Sequence, residues 1–439
     1  MDILLVQPRL GFERTYPLGL GALSAALASR GHRAIGHHDA LQPEARLLER
    51  AGSGRFAWIG ISGLTANLAR ALELARQVRG CTDAPIVLGG PHVSIRPGDA
   101  LDEPAVAAVV CGEGEAAALA LCEALEAGRA LDSVPGLVTR PAAGSIEPVR
   151  LEDLDAWPEP ARGMFGDADL DRPGLGRDRR AAPLITSRGC VFGCAYCPTP
   201  ALSGGTVRRR SPGRVAAEAD RLRTDLGVDR LLIEDDQFLA DREHALAVCE
   251  ALARRNRPAA ISCVNGLRPE RLDRELCTAL RAAGCDHVAL GLESASPDTL
   301  ASMGREPDLG RVRAGVEAAR SAGLRVTGCF MLGLAGEGPA DWLRSLRFAG
   351  ELGLEIAHLN VYSPLPGASW TGEVAGPEIG AAQQAALRIL RGAWYLGYHG
   401  RPDRALRILR STGAGLSAAP EALSRLVSWV LLRTDQSPR

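Results

Sequence analysis

Three cysteines stand close together in this sequence, at Cys190, Cys194 and Cys197, with three residues and then two residues between them. Thiolates are the protein ligands that iron–sulfur clusters use. Gly189 and Gly193 lie beside them and allow the backbone to curl tightly around a metal group. Three ligands for a four-iron cluster leave one iron open, which a cluster needs if it is to bind and reduce another molecule.

A structural zinc site is the alternative for these cysteines. Such a site needs a fourth Cys or His at short spacing. The next residue of either type after Cys197 is His244. The pattern therefore favours an iron–sulfur cluster over zinc.

The composition fits two globular domains with an appendage. The 439 residues exceed one comfortable core, and the 46% hydrophobic content is ordinary. A formal net charge of −1 gives no electrostatic reason to expect a nucleic acid or an anionic membrane as partner. All 51 basic residues are Arg, which excludes chemistry that needs a lysine Schiff base.

The first residues, MDILLVQPRL, lack the basic region and apolar run of a signal peptide and resemble a buried strand. No apolar run approaches the length of a membrane span. Eleven cysteines is an odd number, and without an export signal it indicates reduced thiols. We therefore expect a cytoplasmic protein without a disulfide framework.

Strands and helices alternate through the first part of the chain. The predicted strands are Ile3–Pro8, Arg33–His38, Phe56–Ser62, Ala84–Gly89 and Val106–Cys111. This alternation indicates an α/β fold with a doubly wound parallel sheet. In such sheets ligands lie beyond the carboxyl ends of the strands. We expect this domain to occupy residues 1–132.

A stretch rich in Pro, Asp and Gly over residues 133–180 is interpreted as a linker with little core of its own. A second alternating series follows over residues 181–372 and indicates a partial barrel of six βα units, with its active site at the carboxyl ends of the strands. Its predicted strands are Pro183–Ser187, Arg230–Ile233, Ala259–Val264, His287–Leu290, Arg325–Met331 and Ile356–Val361. Residues 373–439 are predicted to form a helical extension, where aromatic residues such as Trp394 and Tyr395 are expected to pack. Covering the barrel mouth and shaping the pocket is the alternative role for these aromatic residues.

The cysteine loop, with Tyr196 before its last cysteine, resembles that of the radical S-adenosylmethionine (SAM) superfamily, and the resemblance covers residues 183–370. It implies a [4Fe–4S] cluster on the three cysteines. The residues that it implies for SAM binding are Tyr196, Glu234, Asp235, Asn265, Arg268 and Glu293. Helix capping is an alternative role for Glu234 and Asp235. One departure is Ala335, where the family usually has Pro.

The order of motifs across nearly the whole chain is similar to the cobalamin-binding subfamily of these enzymes. The resemblance implies cobalamin held by three loops, which comprise Ser62, Gly63, Leu64 and Thr65, then Gly89, Gly90, Pro91 and His92, and finally Gly112, Glu113 and Gly114. Taken without the resemblance, these glycines are equally well explained as turns. The Asp-x-His-x-x-Gly motif that places a His on cobalt in cobalamin mutases is missing. We therefore expect no His ligand on cobalt.

The resemblance implies a cobalamin-dependent radical SAM enzyme whose cofactors are a 4Fe–4S cluster, SAM and cobalamin. It also implies a small-molecule substrate and an electron donor such as flavodoxin or ferredoxin. Methylation of an unactivated carbon is the commonest activity of the subfamily. Cyclisation or rearrangement without methyl transfer is the alternative, which sequence motifs do not separate. No catalytic residue is identified.

Two further classes fit less well. Methylthiotransferases share the barrel, but they carry three more cluster cysteines in the N-terminal domain, and Cys81, Cys111 and Cys122 are at unsuitable positions here. A non-catalytic cobalamin-binding protein would have no use for the cysteine loop.

Overall fold

The computed structural model describes residues 1–10, 16–141, 147–166, 180–255, 259–334, 336–370 and 381–399. These residues form two compact units. The first unit contains the described residues up to 166 together with 201–204, and the second contains the others. Among the helices in these ranges, none is both long and apolar enough to cross a membrane.

The first unit is a sheet of six strands with helices between them. The strands are β1 (Asp2–Gln7), β2 (Arg33–His38), β3 (Phe56–Ser62), β4 (Ile86–Gly89), β5 (Ala108–Val110) and β6 (Leu137–Val138). The helices are α1 (Leu18–Ser29), α2 (Glu44–Ala51), α3 (Leu68–Arg79), α4 (Pro91–Ile95), α5 (Gly98–Leu101) and α6 (Gly114–Glu126). The strand order is β2-β1-β3-β4-β5-β6, which for its first five strands is a common doubly wound order. The predicted doubly wound parallel sheet is confirmed.

Burial explains why these strands read as apolar runs. In β1 five consecutive residues after Asp2 are buried, so side chains on both faces of the sheet are covered. Their main core partners come from β3, β4 and α3. This packing fixes the carboxyl ends of β3, β4 and β5 side by side.

The segment interpreted as a linker contributes to the first unit. Strand β6 pairs antiparallel with β5, and Leu151, Leu154 and Phe165 are buried. The ring of Phe165 meets that of His38 edge-on, with 5.7 Å between the ring centroids. The expectation of a bare linker therefore needs correction, because these apolar residues pack one by one onto the sheet without forming a periodic pattern.

The second unit is a six-stranded parallel sheet with helices between its strands, and a separate two-stranded ribbon. The strands are β7 (Ala181–Leu184), β8 (Ser187–Arg188), β9 (Arg208–Arg209), β10 (Arg230–Ile233), β11 (Ala260–Leu267), β12 (Cys285–Glu293), β13 (Arg325–Leu332) and β14 (Ile356–Val361). The helices are α7 (Thr199–Ser203), α8 (Pro212–Leu226), α9 (Arg242–Ala253), α10 (Arg274–Ala282), α11 (Pro297–Ser302), α12 (Leu309–Ser321), α13 (Pro339–Glu351) and α14 (Ala381–His399). The order β14-β13-β12-β11-β10-β7 confirms the six parallel strands predicted for a partial barrel.

The first strand of this sheet ends earlier than predicted. The prediction was Pro183–Ser187, but β7 ends at Leu184, and Ser187 belongs to β8, which pairs with β9. The carboxylate of Asp235 accepts hydrogen bonds from the backbone N–H and hydroxyl of Thr186 and from the hydroxyl of Ser187. These bonds hold the chain out of the sheet just before the cysteine loop.

Helix α14 lies along β14, the edge strand of the sheet. The hydroxyl of Tyr395 accepts a hydrogen bond from the N–H of Leu359 at 2.7 Å, and the hydroxyl of Tyr398 donates to the carbonyl of Leu354 at 2.9 Å. An edge strand presents unpaired backbone groups, and Tyr395 satisfies one of them. The expected packing role of the tail aromatics is confirmed here, whereas residues 373–380 and 400–439 of the predicted extension lie outside the described residues.

Helix α12 packs closely on the short turn Pro269–Arg271 that follows β11. A Cβ atom placed on Gly315 would overlap the carbonyl oxygen of Pro269. The turn carries Glu270 and directly follows Arg268. The missing side chain at Gly315 therefore lets α12 fix the position of two charged residues at the carboxyl end of β11.

Gly315→Ala should lower the free energy of unfolding by about 2 kcal/mol, because the added methyl group forces α12 or the turn to move. Gly350→Ala is the matched control, since Gly350 is also helical and a Cβ there meets nothing within 4 Å. That control should be neutral or stabilising by up to about 1 kcal/mol. Urea unfolding followed by circular dichroism compares both variants with the parent, and equal midpoints for the two variants would contradict the close approach.

Candidate active site

The three cysteines lie on the loop between β8 and α7. Gly189 opens the loop with φ of +97°, and its N–H donates to the Asp236 carboxylate at 2.8 Å. The N–H of Cys197 donates to the carbonyl of Cys194 at 3.0 Å, which closes a tight turn between these two thiols. Local hydrogen bonds thus bring side chains of the three cysteines toward one another.

The same loop is anchored on both sides of Ala195. The N–H of Ala195 donates to the carbonyl of Met303 at 2.9 Å, and its carbonyl accepts from the N–H of Trp370 at 2.8 Å. Met303 follows α11, and Trp370 lies beyond β14. Segments from opposite parts of the second unit therefore hold the loop in place.

The surroundings of the thiols fit an iron–sulfur cluster. Burial raises the pKa of the Cys190 and Cys197 thiols, and the neighbouring thiols raise it further because thiolates repel one another. Positively charged irons would relieve that repulsion. A cluster binds each thiolate on a separate iron, so three neighbouring thiols are a donor set that fits a cluster.

Glu293 ends β12 in a left-handed backbone conformation, with φ of +62°. It is the only non-glycine residue with positive φ among those described. Such a conformation costs about 1–3 kcal/mol and is found preferentially at functional sites. The register between β12 and β13 shifts between Gly291 and Glu293, and a shift of this kind redirects the side chain.

The carboxylate of Glu293 contacts Tyr196 and Arg305. The hydroxyl of Tyr196 donates to Oε1 of Glu293 at 3.0 Å, and Nη1 of Arg305 lies 3.5 Å from the same oxygen. Burial raises the pKa of Glu293, while the Arg305 charge and the Tyr196 hydrogen bond oppose that rise. Nε of Arg305 is buried and has no hydrogen-bond partner within the described ranges.

Arg268 connects the cysteine loop to the end of β11. Its Nη2 donates to Sγ of Cys194 at 3.0 Å, and its Nη1 donates to Oε1 of Glu270 at 3.1 Å. The guanidinium carbon also lies 3.8 Å from the centroid of the Phe192 ring. The carboxylate of Glu270 contacts Arg305 in turn, at 3.4 Å. Arg268 therefore bridges the thiol group and the group around Glu293.

The acidic residues after β10 have different surroundings. Asp235 is buried and accepts the three hydrogen bonds from Thr186 and Ser187, and burial raises its pKa to about 6. Glu234 is half-buried. The side chain of Asn265 is exposed at β11 and donates from Nδ2 to the backbone carbonyl of Asp235 at 2.9 Å. The N-cap of α9 is Asp241, so helix capping does not explain Asp235.

In the first unit, the predicted loops lie together at the carboxyl ends of β3, β4 and β5. The N–H of Gly63 donates to the carbonyl of Gly89 at 2.7 Å. A Cβ on Gly90, whose φ is +120°, would lie 2.7 Å from the Gly63 carbonyl oxygen. Ser62 ends β3, Pro91 opens α4, and the N–H of Leu64 donates to the Asn67 side chain at 2.8 Å. Backbone atoms of these loops lie close to one another, an arrangement that fits contact between the backbone and a large ligand.

His92 links two of these loops. Its Nδ1 lies 3.0 Å from the hydroxyl of Thr65, and its Nε2 lies 3.0 Å from the carboxylate of Asp99. The side chain is buried. Both ring nitrogens are therefore engaged within the protein.

The third loop is held against residues 149–151. The N–H of Gly112 donates to the Ser94 hydroxyl at 2.8 Å. The carboxylate of Glu113 accepts from the N–H of Leu151 at 2.7 Å, and Gly114 opens α6. Glu113 therefore binds residues 149–151, which belong to the segment interpreted as a linker, to the loop after β5.

Sequence reasoning missed Glu270 and Arg305. Both are charged residues with side chains only 5% exposed. Their burial is visible only in the structure, and the sequence offers no signal for them, since 51 Arg residues are spread along the chain and no single one stands out. Ala335, the departure noted in the sequence, lies outside the described residues.

Two family models match the chain. The model of the radical SAM superfamily matches residues 184–349. The model of the B12 binding domain matches residues 13–122. The first range contains the three cysteines, and the second contains the loops after β3, β4 and β5.

Relatives and solved structures agree with these matches. An uncharacterized methyltransferase of Pyrococcus horikoshii is 28% identical over 315 residues, which cover 70% of this chain and 67% of that protein. The cytidylyl-2-hydroxyethylphosphonate methyltransferase of Streptomyces wedmorensis is 28% identical over 433 residues and covers 83% of this chain and 80% of its own length. The radical SAM methyltransferase TsrM from Kitasatospora setae, solved with cobalamin and a [4Fe-4S] cluster bound, has a TM-score of 0.73 at 20% identity over 88% of this chain and 79% of its own. This last likeness shows the fold.

Asp235→Asn should remove a pH dependence of stability from the cluster-free protein. The Asp235 carboxyl ionises near pH 3.8 in the unfolded chain and near 6 in the folded protein. The folded state thus holds the extra proton between these values, and its stabilising effect, complete below about pH 4, is lost as the pH rises through 6. The free energy of unfolding of the parent, minus that of Asp235→Asn, should fall by roughly 2–3 kcal/mol over this range.

Urea unfolding of both proteins at several pH values between 4 and 7 measures this difference, and ionisable groups other than Asp235 cancel because they are common to both. A difference that stays flat, or that rises with pH, would contradict the buried carboxyl.

Proposed function

We propose that this chain, which matches the radical SAM superfamily over residues 184–349 and the B12 binding domain over residues 13–122, is a radical SAM enzyme that methylates an unactivated carbon of a small molecule. One observation carries the proposal. A loop with three cysteines at the carboxyl edge of a parallel sheet is joined by Arg268 to a buried Glu293 group, in a chain that also has the B12 domain. Both relatives described above are named methyltransferases.

The cofactors of such an enzyme are a [4Fe–4S] cluster, SAM and cobalamin, which together supply one-electron cleavage of SAM and methyl transfer. Cys190, Cys194 and Cys197 would hold the cluster, and three protein ligands for four irons would leave one iron available to SAM. Arg268 donates to Cys194, and hydrogen bonds to cluster sulfurs are one means by which proteins set cluster potentials.

SAM carries an ammonium and a carboxylate, and the site offers partners for both charges. Glu293 supplies a buried carboxylate. Arg305 supplies a buried cation whose Nε would gain a partner in the SAM carboxylate. Tyr196 orients Glu293 through its hydroxyl, and Glu234 and Asn265 extend the polar surface at the ends of β10 and β11. Asp235 acts indirectly, because its carboxylate is already used to hold the start of the cysteine loop.

Cobalamin is held by the three loops at the edge of the first sheet. Close backbone approach at Gly63 and Gly90 keeps the β3 and β4 loops narrow. His92 braces Thr65 and is not a cobalt ligand, because both of its nitrogens are bonded to protein groups. Ser62, Leu64, Gly89, Pro91, Gly112, Glu113 and Gly114 complete the candidate surface.

The substrate is a small molecule, since the near-zero net charge offers no attraction to nucleic acid. The electron for the cluster comes from a small redox protein such as flavodoxin or ferredoxin. Cyclisation or rearrangement without methyl transfer is the second candidate function, and it would use the same cluster and the same SAM residues. The fate of the SAM methyl group distinguishes the two.

Anaerobically reduced holoenzyme, incubated with candidate small molecules and SAM carrying a trideuterated methyl group, tests the proposal by mass spectrometry. The product should carry the intact labelled methyl group, and 5′-deoxyadenosine and S-adenosylhomocysteine should form in comparable amounts. Protein reconstituted without cobalamin is the control and should give no labelled product. Formation of 5′-deoxyadenosine with a modified but unlabelled product would show that the cyclisation or rearrangement function is correct.

A further inference from the structure

A continuous path of polar contacts crosses the site of the second unit. It runs from Cys194 in the thiol loop to Glu293 at the end of β12, and the hydrogen bond from Tyr196 to Glu293 returns it to the thiol loop. Its members, in order, are Cys194, Arg268, Glu270, Arg305, Glu293 and Tyr196. Sequence reasoning assigned roles to four of these residues, but Glu270 and Arg305 had none.

Glu270 lies at the centre of this path. Its carboxylate is 3.1 Å from Arg268 and 3.4 Å from Arg305. The three side chains are 8%, 5% and 5% exposed for Arg268, Glu270 and Arg305. Water therefore does little to screen the two guanidinium groups from each other, and the carboxylate between them is what allows both to be buried.

The two arginines point to different ends of the site. Arg268 contacts Cys194 at 3.0 Å, while Arg305 contacts the Gly291 carbonyl at 2.8 Å and Glu293 at 3.5 Å. A guanidinium has five donors in a rigid fork, so each arginine can bind Glu270 and a second group simultaneously. Glu270 thereby joins the thiol end to the Glu293 end through the two arginines, beside the direct hydrogen bond from Tyr196 of the thiol loop to Glu293.

We propose that Glu270 is a positioning residue that holds Arg268 on the cluster ligand Cys194 and Arg305 on Glu293, so that cluster potential and SAM affinity both depend on it. This inference rests on the proposed function, which makes Cys194 a cluster ligand and Glu293 a SAM ligand. Glu270 pairs with Arg268 and Arg305, and it acts on Cys194 and Glu293 through these two arginines.

The charges give the direction of each effect. A reduced cluster carries one more negative charge than an oxidised cluster, so nearby positive charge and donors to sulfur favour the reduced form. Removing Arg268 takes away a cation and a donor, which makes the potential more negative. Neutralising Glu270 removes one negative charge and leaves both arginines in place. The charge near the cluster is then more positive, which makes the potential less negative.

Glu270 also affects the other end of the path. Without its charge, Arg305 loses one of its two carboxylate partners, and its guanidinium is no longer held in place beside Glu293. Arg305 and Glu293 then lose the positions in which they bind SAM. The affinity for SAM should therefore fall several-fold in Glu270→Gln.

The experiment compares the reconstituted parent with Glu270→Gln, Arg268→Gln and a control, Glu250→Gln. Glu250 also pairs with an arginine, Arg254, but at the surface. The midpoint potential of the cluster is measured by redox titration followed by electron paramagnetic resonance (EPR), and SAM affinity by equilibrium binding. Relative to the parent, Arg268→Gln should shift the potential more negative, Glu270→Gln less negative with weaker SAM binding, and Glu250→Gln should match the parent.

Conservative variants keep the test decisive where a glutamine variant does not fold. Glu270→Asp retains the charge and should lie closer to the parent potential than Glu270→Gln, and Arg268→Lys should shift the potential more negative because an ammonium lacks the fork. If the parent takes up the cluster and the Glu270 and Arg268 variants have the same potential as the parent, the proposed role of Glu270 is overturned. A parent that takes up no cluster would instead overturn the proposed function.

Discussion

The compensation of buried charge at the carboxyl edge of the six-stranded sheet is the constraint on which the second unit depends. Three half-buried thiols lie there together with a strand-end carboxylate and two buried arginines. A buried charge is tolerated only when it is paired and hydrogen-bonded. The alternation of Arg and Glu from Cys194 to Glu293 meets that condition. The close packing of α12 at Gly315 supports this pairing of charges, because it fixes the turn that carries Glu270.

The first unit has a different requirement, which is to present backbone to a large cofactor at the carboxyl ends of its strands. Its loops after β3, β4 and β5 approach through glycines and backbone hydrogen bonds, and their buried polar side chains bond mainly to protein groups. This leaves a surface made largely of backbone, which suits a large cofactor whose own groups carry the chemistry. The two units therefore contribute different things: fixed charges near a metal cluster in one, and shaped backbone in the other.

The cysteine loop and both sheets could be predicted from sequence because their signals are local. The three cysteines fall within eight residues, and strand and helix periodicity is read in short windows. Glu270 and Arg305 could not be predicted, because their contact joins residues 35 positions apart and depends on side-chain direction. Asp235 shows the same limit: it was predicted beside SAM, yet the turn after β10 directs its carboxylate at Thr186. Phe165 packs on β2 from a segment without periodicity, so its place was also hidden.

The most direct test of the account is whether Cys194 is needed for the cluster and for SAM cleavage. The test compares the parent with Cys194→Ala and with a control, Cys81→Ser, which changes an exposed cysteine outside the loop. Each protein is reconstituted anaerobically, and its iron content, EPR signal and formation of 5′-deoxyadenosine are measured. The account predicts about four irons per chain and SAM cleavage for the parent and for Cys81→Ser, and loss of both in Cys194→Ala. Full iron content and full SAM cleavage in Cys194→Ala would contradict it.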